Sequence, residues 1–377
     1  LWVLAGAVSG LVSYAFGQSL NLSIFRRASL DLLTGDELYV RHAGDYFKYS
    51  PTFALLFVPF ALVPAWLAAG AWGALNFGVA WAGLHGMVRD PRKRERALLF
   101  ALFGVMLATD GDQSNLLVLG LVLLAARALS SGAGATFGML LAVAASVKVF
   151  PVIAALLVLV HPRVRQNVAW LVLTGALTLL LPLLVVSPSL LAHHYASWRG
   201  LLAWDHSNIG WSVMSLLQKG LGMNAGTTLL QVVCLLLLAA PVLLGVRYGT
   251  SGSFRRTYLA SILVFSVIMN HRAEYATYVI FAGGAALWWA EAKVRVTRTL
   301  LVLLAFVAVG PFFTRADPSV TGLFSILGAH RLFHPLRVLP ALAVWLWMQR
   351  DLYACFFKVK IELRRPETAR LEERHAT

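Results

Sequence analysis

Charge is what this sequence has least of. Charged side chains make up 13% of its 377 residues, about half the share usual in soluble domains. A chain this short of charge needs lipid to cover its apolar surface. Cysteine is nearly absent. Cys234 falls in an apolar block and Cys355 in the C-terminal tail, neither with metal-ligand spacing. That excludes a zinc-binding framework and a disulfide scaffold. Walker A, zincin and nucleophile-elbow patterns are missing. So is any solenoid-type repeat.

Apolar sequence fills the space. Hydrophobic residues reach 59% and the mean hydropathy is +0.73. Apolar blocks fall at about 1–17, 51–64, 66–88, 97–109, 114–129, 133–147, 149–160, 167–188, 227–246, 257–269, 277–290, 299–313 and 335–349. Length alone suggests two or three soluble domains, but blocks of span length override that prior. The fold class expected is an all-α polytopic integral membrane protein. No small-residue cleavage site follows the first block, so it is expected as a retained span rather than a signal peptide.

The net charge of +15 does not point to nucleic acid. Basic residues cluster between apolar blocks, as at Arg89–Arg96, and no basic groove is interleaved with aromatics. The positive-inside rule explains the clusters. Those at 89–96, 163–165, 247–256, 293–298 and beyond Arg350 all fall on one side if the blocks after residue 89 alternate. The block 51–64 is too short to cross and is broken by Pro51, Pro59 and Pro64. It is expected as a re-entrant or interfacial helix. Twelve spans then remain in one domain, 1–350, with both termini and a polar tail, 351–377, in the cytoplasm. The plasma (bacterial inner) membrane is the expected location.

The unusual polar residues gather on the opposite, outer face. In the loop 18–65, apolar positions 22, 25, 28, 32 and 33 fit one helical face, which predicts an amphipathic helix in the interface. Asp45, Lys48 and Tyr49 follow it. Lys48 and the tyrosines could simply anchor the interface; alternatively Lys48 meets an anionic headgroup. Asp110, Asp112, Gln113 and Asn115 crowd one tight turn. An Asp-Gly turn accounts for Asp110, but not for amides entering the next span, where polar residues are functional candidates. Asp110 and Asp112 could also hold a divalent metal, a weak signature with only two carboxylates. Lys148 lies between two apolar blocks, where it either snorkels or contacts a phosphate. His271 and Arg272 could clamp a phosphate, with Glu274 beside them. The loop 193–212 adds His193, His194, Arg199, Asp205, Asn208 and several tryptophans that read as an aromatic belt or a sugar surface.

At these residues the chain resembles glycosyltransferase family 87. Phe47-Lys48-Tyr49-Ser50-Pro51 is similar to the family's Tyr-x-Pro helix. Asp112-Gln113-Ser114-Asn115 is similar to its Gly-Gln-x-Asn segment, and Lys148-Val149-Phe150-Pro151 to its Lys-x-[Phe/Tyr]-Pro segment. The resemblance implies a GT-C fold and transfer of a hexose, mannose in the family, from a polyprenyl-phosphate donor to a lipid or glycan acceptor. It implies inversion at the anomeric carbon. It requires no cofactor.

One departure matters. Where the family has an Asp that opens the first-loop helix, this chain has Asn21, and an amide is no general base. The substitutes are Asp45 first, then Asp112 and Asp110, then Glu274. Lys48, Lys148, His271 and Arg272 are expected to bind the donor phosphate. Asn21, Tyr49, Gln113, Asn115, Asn208 and Glu274 are expected to bind substrate. Two other classes stay open: a transporter or flippase of a lipid-linked sugar, which should show matched repeats and broken helices, and a non-catalytic membrane scaffold, which Asn21 alone favours.

Overall fold

The described apolar blocks form helices, some started by a side-chain cap as at Ser50 and Ser251, and Pro59 and Pro241 lie inside two of them. The computed structural model describes residues 1–42, 45–88, 90–108, 112–205, 210–223, 227–248, 251–291, 299, 303 and 338–364. Among the described residues the chain is all-α apart from one two-rung antiparallel ladder, β1 (Arg41–His42) on β2 (Asp45–Tyr46). The helices are α1 (Trp2–Ala15), α2 (Leu20–Thr34), α3 (Pro51–Ala61), α4 (Ala65–Met87), α5 (Pro91–Ala108), α6 (Asn115–Ser130) and α7 (Gly134–Val147). Then come α8 (Val164–Leu180), α9 (Pro188–Asp205), α10 (Val213–Ser215), α11 (Thr227–Tyr248), α12 (Gly252–Ile268), α13 (Tyr278–Ala290) and α14 (Leu339–Arg364). A 3-10 helix, Phe150–Val160, stands between α7 and α8 where the sequence reads as an ordinary span.

The core is built on α6, α12 and α13, whose side chains are mostly buried. At the periphery, α8 and α11 expose Val172, Leu177, Leu229 and Leu236. In water such a coat would be an aggregation surface; in a bilayer it is the lipid contact. This is a membrane protein.

Length limits which helices cross alone. Among the described residues only Ala65–Met87 and the continuous run Val164–Leu184 are long and apolar enough. A third appears if α1 and α2, bent by 90° at their junction, are taken as one broken span. Of the others, α3, α6, α7, the 3-10 helix and α13 have 11–16 residues and fall short of the roughly 20 that a bilayer core requires. The α3 segment is the clearest case: 11 residues at 1.5 Å each give about 17 Å. Ser50 caps it by accepting from the Phe53 N–H at 3.2 Å, and Pro51 takes the first turn, where no N–H is needed. At its C-terminal end, Arg26 of α2 donates to the carbonyls of Phe60 (2.5 Å), in the last turn, and Val63 (2.7 Å), just past it.

Two further features differ from the sequence reading. The stretch 188–205, read as part of an outer loop, is the helix α9. The last helix runs without a break through residue 350, where the tail was expected to begin. The block 299–313, apart from residues 299 and 303, lies outside the described residues, as do 293–298 and 365–377.

Glycine sets a close contact between two helices. Gly6 and Gly10 of α1 face Gly73 and Ala69 of α4 so closely that a Cβ on either would meet backbone carbonyl. The pattern is small-x-x-x-small, which lets two helices in lipid approach to backbone contact.

Candidate active site

The polar residues of the site are brought together by hydrogen bonds between segments far apart in sequence. The Ser50 hydroxyl donates to the Ser146 carbonyl at 2.8 Å, tying the lead into α3 to the end of α7. That link sets Lys48 and Tyr49 beside Lys148, which caps α7 in an extended conformation. Trp198 of α9 donates from its indole to the Lys48 carbonyl at 3.2 Å. The Gly210 and Trp211 N–H groups donate to the His271 and Ala273 carbonyls, both at 2.6 Å. The α12–α13 loop is pinned by these bonds.

These segments enclose a cavity of about 1370 Å³, larger than the roughly 300–1,000 Å³ of an ordinary small-molecule pocket. Asn21, Asp45, Lys48, Tyr49, Gln113, Lys148, His271, Arg272 and Glu274 all line it. Val152, Ile153, Leu156 and Leu159 of the 3-10 helix line it too, with Val168 and Leu171 of α8 and Val232 and Leu235 of α11. One chamber therefore offers cations from the loops and an apolar wall from peripheral helices.

Its electrostatics follow from one carboxylate. Asp205, at the end of α9 with a side chain only 8% exposed, accepts from Arg272 Nε at 2.8 Å and stands 3.8 Å from Lys48 Nζ. The Lys48 ammonium also meets both Asp45 oxygens, at 3.0 and 3.1 Å. Among the described lining residues, Lys48, Lys148, Arg199 and Arg272 face Asp45, Asp205 and Glu274. Four cations against three carboxylates leave one net positive charge.

Lys148 is enclosed without a carboxylate within ion-pair distance among the described residues. Burial holds its ammonium below the ordinary lysine range; Glu274 pulls it back up, while Lys48 and Arg272 push it further down. A bound anion would restore the charged form. Burial also pushes the Tyr49 phenol up, leaving a neutral hydroxyl.

Not every candidate faces the cavity. Asp112 and Asn115 are buried but do not line it. The Asp112 carbonyl accepts from the Trp72 indole at 3.1 Å, and its carboxyl, raised above the usual range by burial, sits near the hydroxyls of Ser19 and Ser13. Asn115 has no side-chain hydrogen bond among the described residues. Asp110 and Asn208 lie outside the described residues. His193 pairs with Glu37, outside the cavity lining. Among the described residues no group of three His, Cys, Asp or Glu is placed to hold a metal.

Sequence reasoning gave Asp205 no role, and it singled out neither Gln231 nor Thr277, which also line the cavity. An aspartate closing a Trp-rich stretch was visible. Its partners, on two distant segments, were not.

Known proteins extend this description. No curated protein matches the chain, and no solved structure does. The family model described as glycosyltransferase family 87 matches residues 47–271. That range opens at the Phe47-Lys48-Tyr49 segment, closes on the His271 loop and takes in more than half of the 377 residues. This membrane protein therefore belongs to glycosyltransferase family 87.

Proposed function

We propose that the cavity binds a polyprenyl-phosphate hexose, the hexose being mannose, and passes the sugar to a lipid or glycan acceptor. The observation that carries this reading is the pairing of cations with an apolar wall in one chamber. A soluble nucleotide sugar would have no use for the wall formed by the 3-10 helix, α8 and α11. Nor does that wall drive binding by itself, since a prenyl tail is already in lipid and gains no hydrophobic energy by moving. The phosphate supplies the affinity and the wall supplies the direction.

Charge selects among phosphates. One net positive charge matches the single negative charge of a phosphodiester donor better than the two charges of a diphosphate. Lys48, Lys148, His271 and Arg272 take the phosphate and then stabilise the leaving lipid phosphate, where negative charge grows during the reaction. In-line attack from the opposite face inverts the anomeric carbon. Asn21, Tyr49 and Gln113 contact sugar or acceptor. In the topology this implies, the twelve apolar blocks other than 51–64 cross a plasma (bacterial inner) membrane, both termini lie in the cytoplasm, and the cavity opens on the outer face.

The test uses purified protein in liposomes with labelled polyprenyl-phosphate mannose, a polyprenyl-diphosphate sugar or a nucleotide sugar, each supplied with a membrane-extract acceptor pool. Sugar transfer from the monophosphate donor alone is expected. Transfer from the nucleotide sugar alone overturns the reading. Movement of the intact donor between leaflets without release of lipid phosphate establishes the flippase instead.

A further inference from the structure

An inverting transfer needs a carboxylate with free lone pairs beside the acceptor, and the cavity offers three. Asp45 spends both oxygens on Lys48, at 3.0 and 3.1 Å. Asp205 is held between Arg272 at 2.8 Å and Lys48 at 3.8 Å. Protonating either would strip a partner from the cations that take the phosphate. Glu274 differs: it lines the cavity, is exposed to it, and has no cation within 4 Å among the described residues. Asn21 lines the same cavity but carries an amide.

We propose that Glu274 is the general base of the transfer, a role that rests on the reading of the cavity given above. Its backbone is fixed for that task. The Glu274 N–H donates to the Thr277 hydroxyl at 3.2 Å, and the Thr277 N–H returns to the Glu274 carbonyl at 2.9 Å. The turn so formed leads directly into α13. On the other side, Arg272 N–H donates to the Asn270 side-chain carbonyl at 3.0 Å, and the Ala273 carbonyl accepts from Trp211. A base on a pinned turn keeps its geometry as substrates exchange.

The same loop thus carries both halves of the chemistry. Arg272 faces the leaving phosphate, and Glu274, two residues on, faces the acceptor. The acceptor hydroxyl attacks the anomeric carbon and its proton passes to the Glu274 carboxylate. The new carbon–oxygen bond forms as the bond from the anomeric carbon to the phosphate oxygen breaks. That electron pair leaves with the lipid phosphate.

The experiment measures transfer from polyprenyl-phosphate mannose by full-length protein in liposomes, for wild type, Glu274→Gln, Glu274→Ala and Asp45→Asn. Glu274→Gln is expected to lower kcat by about 100-fold or more, as loss of a general base does, with donor KM changed little. The acid limb of the wild-type pH–rate profile should vanish in Glu274→Gln and persist in Asp45→Asn. Formate should restore part of the rate to Glu274→Ala, which loss of folding would not permit. Wild-type transfer with Glu274→Gln within fivefold of it, or loss of the acid limb in Asp45→Asn alone, overturns the base assignment. Wild-type protein that releases lipid phosphate from none of the donors overturns the reading of the cavity, and this assignment with it.

Discussion

Replacing Asp205 with Asn keeps the shape of the side chain and removes the charge that joins two site cations. Arg272 Nε lies 2.8 Å from one oxygen and Lys48 Nζ 3.8 Å from the other. Lys48 retains Asp45 at 3.0 Å, so most of the loss falls on Arg272. A hydrogen bond to a charged group contributes about 1.5–3 kcal/mol. The Arg272 side chain is 28% exposed, which places the loss near the lower end, about 1.5–2 kcal/mol. With a factor of ten for each 1.4 kcal/mol, kcat/KM for the donor should fall by about 10- to 30-fold. The assay is steady-state transfer in liposomes with donor and acceptor varied separately. The loss should appear against donor and leave acceptor KM in place if Arg272 takes the phosphate as proposed. Asp205→Glu should recover part of it. A variant that binds donor more tightly than wild type would refute the reasoning, since Asp205 would then be competing with the phosphate rather than orienting the arginine.

Three further outcomes follow from the same structure. Because burial depresses the Lys148 pKa and a bound phosphate raises it, donor binding takes up protons, and affinity should fall as pH rises through the depressed value; Lys148→Arg should flatten that dependence in a binding titration. Asp112 is raised by burial, so the folded state holds its proton more tightly than the unfolded chain and loses stability as pH rises past the ordinary aspartate range. Asp112→Asn, which tolerates the positive φ of 53°, should raise the thermal midpoint in detergent at pH 7 and leave it unchanged near pH 3. Gly10→Val would drive a side chain into the Ala69 carbonyl and should cost about 1–3 kcal/mol of stability, whereas Gly175→Ala, where nothing lies within 4 Å, should cost none; equal midpoints for the two variants would refute the close α1–α4 contact.

Much of this architecture was legible because apolar content is a local property. The helical class and the shortness of the block 51–64 could be read from length, proline and hydropathy. So could the apolar face of α2, whose positions 22, 25, 28 and 32 are buried, although Leu33, read onto the same face, is exposed. The gathering of Lys48, Lys148, Arg272 and Glu274 in one cavity was suggested by their shared face in the alternating topology. Asp205 was harder to find, because its meaning lies in partners on distant segments rather than in its neighbours. The helix α9 was hidden by a mixture of Trp, His and Arg with no clear apolar stripe. The contact of Gly6 and Gly10 with α4 left a signal, the small-x-x-x-small spacing, that hydropathy alone passes over. The full set of twelve crossings rests on charge alternation, since most of the described apolar helices are individually too short to require a bilayer.

The most direct test of the central claim is a structure of the protein in lipid nanodiscs with polyprenyl phosphate bound. The account predicts the phosphate among Lys48, Lys148 and Arg272, the prenyl chain along Ile153, Leu156 and Leu235, and the Glu274 carboxylate facing the vacant sugar position. A phosphate bound away from these cations, or a prenyl chain outside the cavity, would contradict it.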